Sequence, residues 1–550
     1  MKRKEFLSIW QNRQNALFMQ PTASLDPYTG PWTQNQVTHL LRRLTFGAKK
    51  EDVVQLLSKT MSQAVDQLLV LDPINTPPVN IYSTTASPDP DVPFGQTFVN
   101  APVNTALNPL YYQARTDVFK AWWTGNLINQ KTNIAEKLTF FWHNHFAVEA
   151  DEVQIAQGMY FYYKLLRENC LGDIRNLTVQ MSKNIAMLRY LNGYLNTKTS
   201  PDENYGRELQ ELFTVGKGPD SKYTEDDVKA AAKRLTGFRI NPFSSPISYF
   251  FLFTDHDTST KQFSTFYGNK KITGRAFNDG EKELDDLVQM LFDNTETARH
   301  ICRKLYQFFV YYEITSDVEQ NIIRPLADIF RQNNFQFKPV LEKLFKSQHF
   351  YDSLNLNCVI KSPLDYSIGM IREFDINTKN PDLIKQYQTW GLVTALNAYQ
   401  GLNIGDPPIV SGWQAWYQSP QFHEIWINAD TLANRNRVAE NINSTKGVVY
   451  LDLSLRIDPT VFAAKLENPE SAIDCVKESV SYLYNINLSD TSLNYFKSFL
   501  VGGFPDDSYW TTLYLDYKAS PNDLTLKNAV TTKLGNMLRE IMSQAEYHLS

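Results

Sequence analysis

Glu208, His143 and His256 are the side chains whose types and settings best suit acid–base or metal chemistry in this sequence. A carboxylate and an imidazole can pass protons between them, and the same pair can hold a first-row divalent metal. Glu208 has the strongest positional argument. It lies in Ser200–Gly237, which reads as two capped helices joined by a tight turn. In the first, Tyr205, Leu209, Leu212, Phe213 and Gly216 recur at helical spacing and make an apolar stripe. Glu208 falls beside that stripe, with Asn204 and Glu211 on a polar flank. A carboxylate at the edge of a core must be paired, hydrogen-bonded or raised in pKa. Arg207 reaches Glu211 one turn on but points away from the inner side of Glu208. The partner must come from elsewhere: an arginine, a backbone donor, or a metal or catalytic group.

Asn133 and Glu136 open a helix with Ile134, Leu138, Phe141, Trp142 and His145 on one face and His143 on the other. The His-x-His pair suggests a ligand set of His143, His145 and Glu208 around a divalent metal. On a continuous helix, residues two apart diverge by about 200° and cannot share one ion. A metal site therefore requires the helix to end or unwind near Asn144. The alternative is that His145 is a hydrogen-bonded core histidine. His256 lies in a turn, next to Asp257. Trp413, with Trp416 and Trp426, suits either a loop core or a wall on which a ligand stacks.

The elements that position these groups are mostly helices. Thr33 and Gln36 make a capping box for a helix with the stripe Val37, Leu40, Leu41 and Leu44. Its other faces project Arg42 and Arg43, first candidates to pair with Glu208 or Glu211. Ser200, Pro201 and Glu203 read as the cap of the first central helix, and Thr224 with Asp227 as that of the second. Residues 71–107 break down into Pro, Asn, Thr, Ser and Asp, a long loop of the kind that is a lid, a binding loop or a disordered excursion. Near 249–274 the pattern changes to a small antiparallel hairpin or meander. The expected fold is mainly α: a large multi-helix body, with residues 1–31 as an N-terminal arm, 32–437 as the main domain, and 438–550 as a mostly helical region packed on the same body.

Hydrophobic content of 43%, charged content of 21% and a net charge of −5 describe a chain with ample core and no face for nucleic acid. Four scattered cysteines argue against zinc ribbons and disulfide scaffolds. No apolar run is long enough to span a membrane. Met1–Leu7 has a faint twin-arginine look, but Trp10-Gln11-Asn12-Arg13 follows where an apolar segment should. By composition it is not a working signal peptide, so the chain is expected in the cytoplasm or exported with a partner. There is no GxSxG, GxGxxG, Walker or HExxH motif.

Glu203–Leu209 with Glu211-Leu212-Phe213, and Arg234–Phe238 after Tyr223-Thr224, resemble the signature of the bacterial domain of unknown function 1800 family. Other stretches agree: His39–Arg43 with Phe46-Gly47, Phe141–Phe146, His256-Asp257 with Lys261, Lys361-Ser362-Pro363, and Pro407-Pro408 with Gly412-Trp413. Gly206 stands where the family commonly has Ala, and Phe238 where it commonly has Trp. The resemblance implies no settled activity. It does imply a neighbourhood, because such proteins are similar to those encoded beside exported sulfatase-like proteins of the domain of unknown function 1501 family. Three readings follow. The polar cluster fixes helix register in a structural or partner-binding protein; or Glu208, His143 and His256 make a metal-assisted or acid–base pocket with Arg42, Arg43, Glu211 and Asn204; or Trp413 and the long loop bind carbohydrate.

Overall fold

The structure, a computed structural model, describes residues 21–550 except 75, 85–86, 104–108, 417–421 and 504–505. The opening segment, read as no working signal peptide, lies outside the described residues, as does the arm as far as residue 20. Residues 21–31 run along the body: Tyr28 N–H donates to the Lys346 carbonyl at 2.8 Å, and His349 N–H to the Ser24 carbonyl at 3.1 Å.

Among the described residues 57% are helical and strands occur only as short antiparallel pairs, so the chain is mainly α. The centre is the helix Ala135–His145, buried at every position. A helix apolar or enclosed all round must be covered on every side. Here the long helices Pro109–Ile128 and Leu383–Tyr399 pack along each other, and Ala156–Asn169 lies against the central helix. Local signals start many helices where the sequence predicts. Thr33 and Gln36 form the capping box of Gln34–Leu44, Thr224 and Asp227 that of Glu225–Arg234, and Ser362 caps Pro363–Glu373. Around Pro325, which has no N–H to give, a π turn at Glu319–Ile323 precedes the helix Arg324–Gln332.

The first central helix departs from its predicted cap. It runs Asn204–Glu211, and Asp202 Oδ1 accepts the Asn204 N–H at 2.8 Å. Ser200 instead closes a turn with Thr197, whose hydroxyl accepts its N–H at 3.1 Å. Gly206 has a packing role. A Cβ there would sit 3.0 Å from the backbone nitrogen of Ala232, so its absence lets the two central helices close on each other.

The expected small antiparallel sheet is built as two separate pairs. Strand β1 (Phe238–Asn241) pairs with β2 (Ser248–Phe251), and β3 (Lys261–Gln262) with β4 (Lys271–Ile272). The reversal between β1 and β2 is made by residues 242–247, where Asn241 Oδ1 accepts the Phe243 N–H at 3.1 Å. A third pair joins β5 (Val448–Tyr450) and β6 (Leu453–Leu455). Within 71–107 the described residues hold one isolated bridge, Val79 to Thr97, and Asn80 Nδ2 ties the loop internally to the Val92 carbonyl at 2.7 Å. The 438–550 region meets the first helix: Arg42 Nη2 donates to the carbonyls of Tyr482 and Leu483 at 3.0 and 2.8 Å. No helix among the described residues is long and apolar enough to cross a membrane.

Candidate functional site

Glu208 is half-buried on the Asn204–Glu211 helix. Its neighbours pair with one another and leave it out. Arg207 makes a fork to Glu225 at 2.7 and 2.9 Å and reaches Glu203 at 3.2 Å and Glu211 at 3.6 Å; Lys217 adds a bond to Glu211 at 3.0 Å. Among the described residues no hydrogen bond or ion pair reaches the Glu208 carboxylate. Burial, and then the like charge of Glu211, raise its pKa above the usual carboxylate value. Asn204 is exposed.

Arg42 and Arg43 do not supply the missing partner. Arg42 Nε donates to Glu373 at 3.3 Å, with both side chains almost wholly buried. Arg43 Nη2 donates to the Asn355 carbonyl at 3.3 Å and to Cys358 Sγ at 3.4 Å. The helix that carries them is buried from Val37 to Leu44, so both arginines point into the body and not out to a neighbouring surface helix.

The histidines are held apart. His143 is fully buried, with Nδ1 2.7 Å from the Tyr162 hydroxyl, which itself donates to the Phe146 carbonyl at 2.8 Å. Since the tyrosine proton goes to that carbonyl, His143 Nδ1 carries a hydrogen and donates. Its Nε2 lies among Trp123, Trp413 and Phe140 and has no hydrogen-bond partner among the described residues. Burial pushes its pKa down to about 3, so it is neutral at physiological pH. The helix stays continuous through Asn144 to His145, which keeps the two imidazoles on diverging sides. His145 Nε2 lies 3.2 Å from the Phe213 carbonyl, and its Nδ1 3.4 Å from Lys304 Nζ, which also donates to the Leu212 carbonyl at 3.1 Å. The residue between them has its own task. Asn144 Oδ1 accepts the Trp413 N–H at 2.7 Å, and Gly412, at φ +93°, leaves the gap that the asparagine fills.

His256 lies at another site, between the central helices and the small sheets. Its Nε2 is 3.1 Å from Glu283 Oε2, and Nδ1 is 2.9 Å from the Thr236 carbonyl. Glu283 also pairs with Arg234, and all of these groups are buried. No hydrogen bond or ion pair among the described residues joins any two of Glu208, His143 and His256. Nor do any three His, Cys, Asp or Glu side chains among those residues form a group that could hold a metal. The tryptophan wall turns inward: Trp413, Trp416 and Trp426 are 2%, 6% and 4% exposed and pack on aromatic neighbours such as Phe140 and Phe308, so they form a loop core.

What lies open is a cavity of about 400 Å³, lined by Val103, Tyr112, Val153, Gln154, Ile155, Arg189, Tyr194, Ile240 and Pro242. Its volume falls in the range of small-molecule sites, and its composition is theirs: an apolar body with a few polar groups. Gln154 takes a left-handed conformation, φ 55°, at the end of the short helix Ala150–Val153. Arg189 lies 5.2 Å from the Tyr194 ring centre and bonds its hydroxyl. Burial pushes the pKa of Tyr190, next in the chain to Arg189, up to about 12, and the charges of Glu149, Glu152 and Glu208 add to the rise. Gln154, Arg189 and Tyr194 stand in no motif of the sequence, and neither do Glu283, Glu373 and Lys304. Each takes its role from contacts remote in sequence, which no local spacing announces.

Residues 39–548 match a family model described as Protein of unknown function (DUF1800). No curated protein and no solved structure matches the chain.

Proposed function

We propose that this chain, which belongs to the DUF1800 family, works by binding and not by acid–base or metal chemistry. The observation that carries this is the open cavity beside Arg189 and Tyr194, set against three would-be reactive residues each held in a separate setting. The cavity suits a neutral, partly apolar group of sugar-ring size. Tyr112 and Tyr194 offer faces for stacking, while Gln154 and Arg189 offer donors to hydroxyl oxygens. Carbohydrate thus stays in the reading, moved from the buried tryptophans to the end of the long loop, where Val103 lines the same space.

A glycan array followed by calorimetric titration tests this, with Ile240→Trp to fill the cavity and Tyr194→Ala to remove a face. Binding that both variants abolish, in a protein whose melting is unchanged, supports the reading. An array without hits, or hits indifferent to Ile240→Trp, overturns it. Metal content of the purified chain is the control: a stoichiometric divalent ion lost on Glu208→Gln would restore the metal-assisted alternative. A sulfatase-like partner of the DUF1501 family belongs to the same proposal as the body that the bound chain serves, and co-purification of the two proteins tests it.

A further inference from the structure

We propose that a second, smaller chamber, between the Arg42-Arg43 helix and the Lys361-Ser362 turn, is a binding site for a monatomic anion of chloride size. The chamber has a volume of about 20 Å³ and is bordered by Arg42, Arg43, Lys137, Ser362 and Asp365 among its polar groups. Phe308, Ile360 and Trp416 close its walls, and Ser550 borders it, held by backbone bonds to Val359. About 10–15 Å³ admits one water-sized occupant, so the space takes a halide and is too small for phosphate or sulfate.

Charge is the second, independent observation. Arg42 has Glu373 and Lys137 has Asp365, but among the described residues no carboxylate lies within ion-pair distance of Arg43. The same holds for Arg435, which donates through Nη2 to the Lys361 carbonyl at 2.8 Å. Arg43 and Arg435 are 4% and 0% exposed. Several donors of these buried groups have no acceptor among the described residues: Arg42 Nη1, Arg43 Nε, and Arg435 Nε and Nη1. A buried charge without a counter-charge is strongly unfavourable, and buried donors call for acceptors. A single anion in the chamber meets both needs for the guanidinium groups that line it, and aromatic walls strengthen the attraction by keeping bulk water away.

The experiment uses the full chain, purified in gluconate. Melting temperature is followed while chloride, bromide or sulfate replaces gluconate at constant ionic strength, and crystals grown in bromide are measured at the bromine absorption edge. The expected result is a melting temperature that rises and saturates with chloride and bromide and not with sulfate, together with an anomalous peak between Arg42 and Arg43. In Arg43→Met the halide response disappears. Should that variant fail to fold, the bromide peak in the wild-type crystal decides. Identical melting in chloride and gluconate, or a chamber without an anomalous peak, overturns the proposal.

Discussion

The guanidinium of Arg42 meets the carboxylate of Glu373 at 3.3 Å, with both side chains 3% exposed or less. Glu373 Oε1 also accepts the N–H of Ala48 at 3.1 Å, so one carboxylate fixes the first helix and the loop that follows it against Pro363–Glu373. Removing one partner of a buried pair leaves the other charged and unpaired, at a cost of about 3–5 kcal/mol. Glu373→Gln should therefore lower the unfolding free energy by about 3 kcal/mol, read from urea denaturation. A midpoint matching wild type would show that the pair contributes nothing net.

Glu283 plays the corresponding part for the small sheets. It holds Arg234 and His256, and Arg234 Nη2 in turn donates to the carbonyls of Ser259 and Ile272 at 2.8 and 2.6 Å. Two-stranded pairs this short have little stability of their own. Glu283→Ala should therefore speed amide exchange in residues 256–274 at least tenfold, with much smaller changes in Ala135–His145. Uniform acceleration through the chain would mean a global loss of stability without a local anchor.

These two relationships mark where sequence reading stops. Capping boxes at Thr33 and Thr224 are legible because donor and acceptor lie three residues apart and the backbone sets their geometry. Helical periodicity likewise places Glu208 at the edge of a core, and half-burial with a raised pKa is what the structure shows there. The choice of Arg42 as its partner fails for a different reason. Arg42 and Glu373 are 331 residues apart, and which distant carboxylate meets which arginine depends on how whole helices pack. The cavity is hidden in the same way, since its lining comes from the end of the long loop, several helices and β1.

Glu208 itself yields a prediction with a definite sign. Its folded pKa is raised above the ordinary 4.5, so folding favours the protonated form. The stability linked to this group is fully present below the unfolded pKa and is lost as pH rises through the folded one. Glu208→Gln, which mimics the protonated state, should be as stable as wild type at pH 4 and more stable at pH 7. A variant less stable at pH 7 would reveal a partner for the carboxylate that has to be paired in the fold.

Lys304 offers a wide pH window. It is buried against His145, donates to the Leu212 carbonyl at 3.1 Å, and has His300 nearby; burial pushes its pKa down to about 7. His300 and His145 do not carry competing charge above pH 7, because burial lowers both of their pKa values. In the unfolded chain a lysine titrates near 10.4. Between about pH 7 and 10 the unfolded state thus binds one more proton than the folded state, and stability rises with pH by up to ~1.4 kcal/mol per unit. Below pH 7 the penalty is complete and the slope vanishes. Lys304→Met removes the titration and keeps most of the side-chain volume. The difference in unfolding free energy, wild type minus variant, should grow by about 2–3 kcal/mol between pH 7.5 and 9.5. Denaturation curves at the two pH values decide it: a constant difference between the proteins would mean that Lys304 stays charged in the fold, stabilised by the carbonyl of Leu212 at the end of the Glu208 helix.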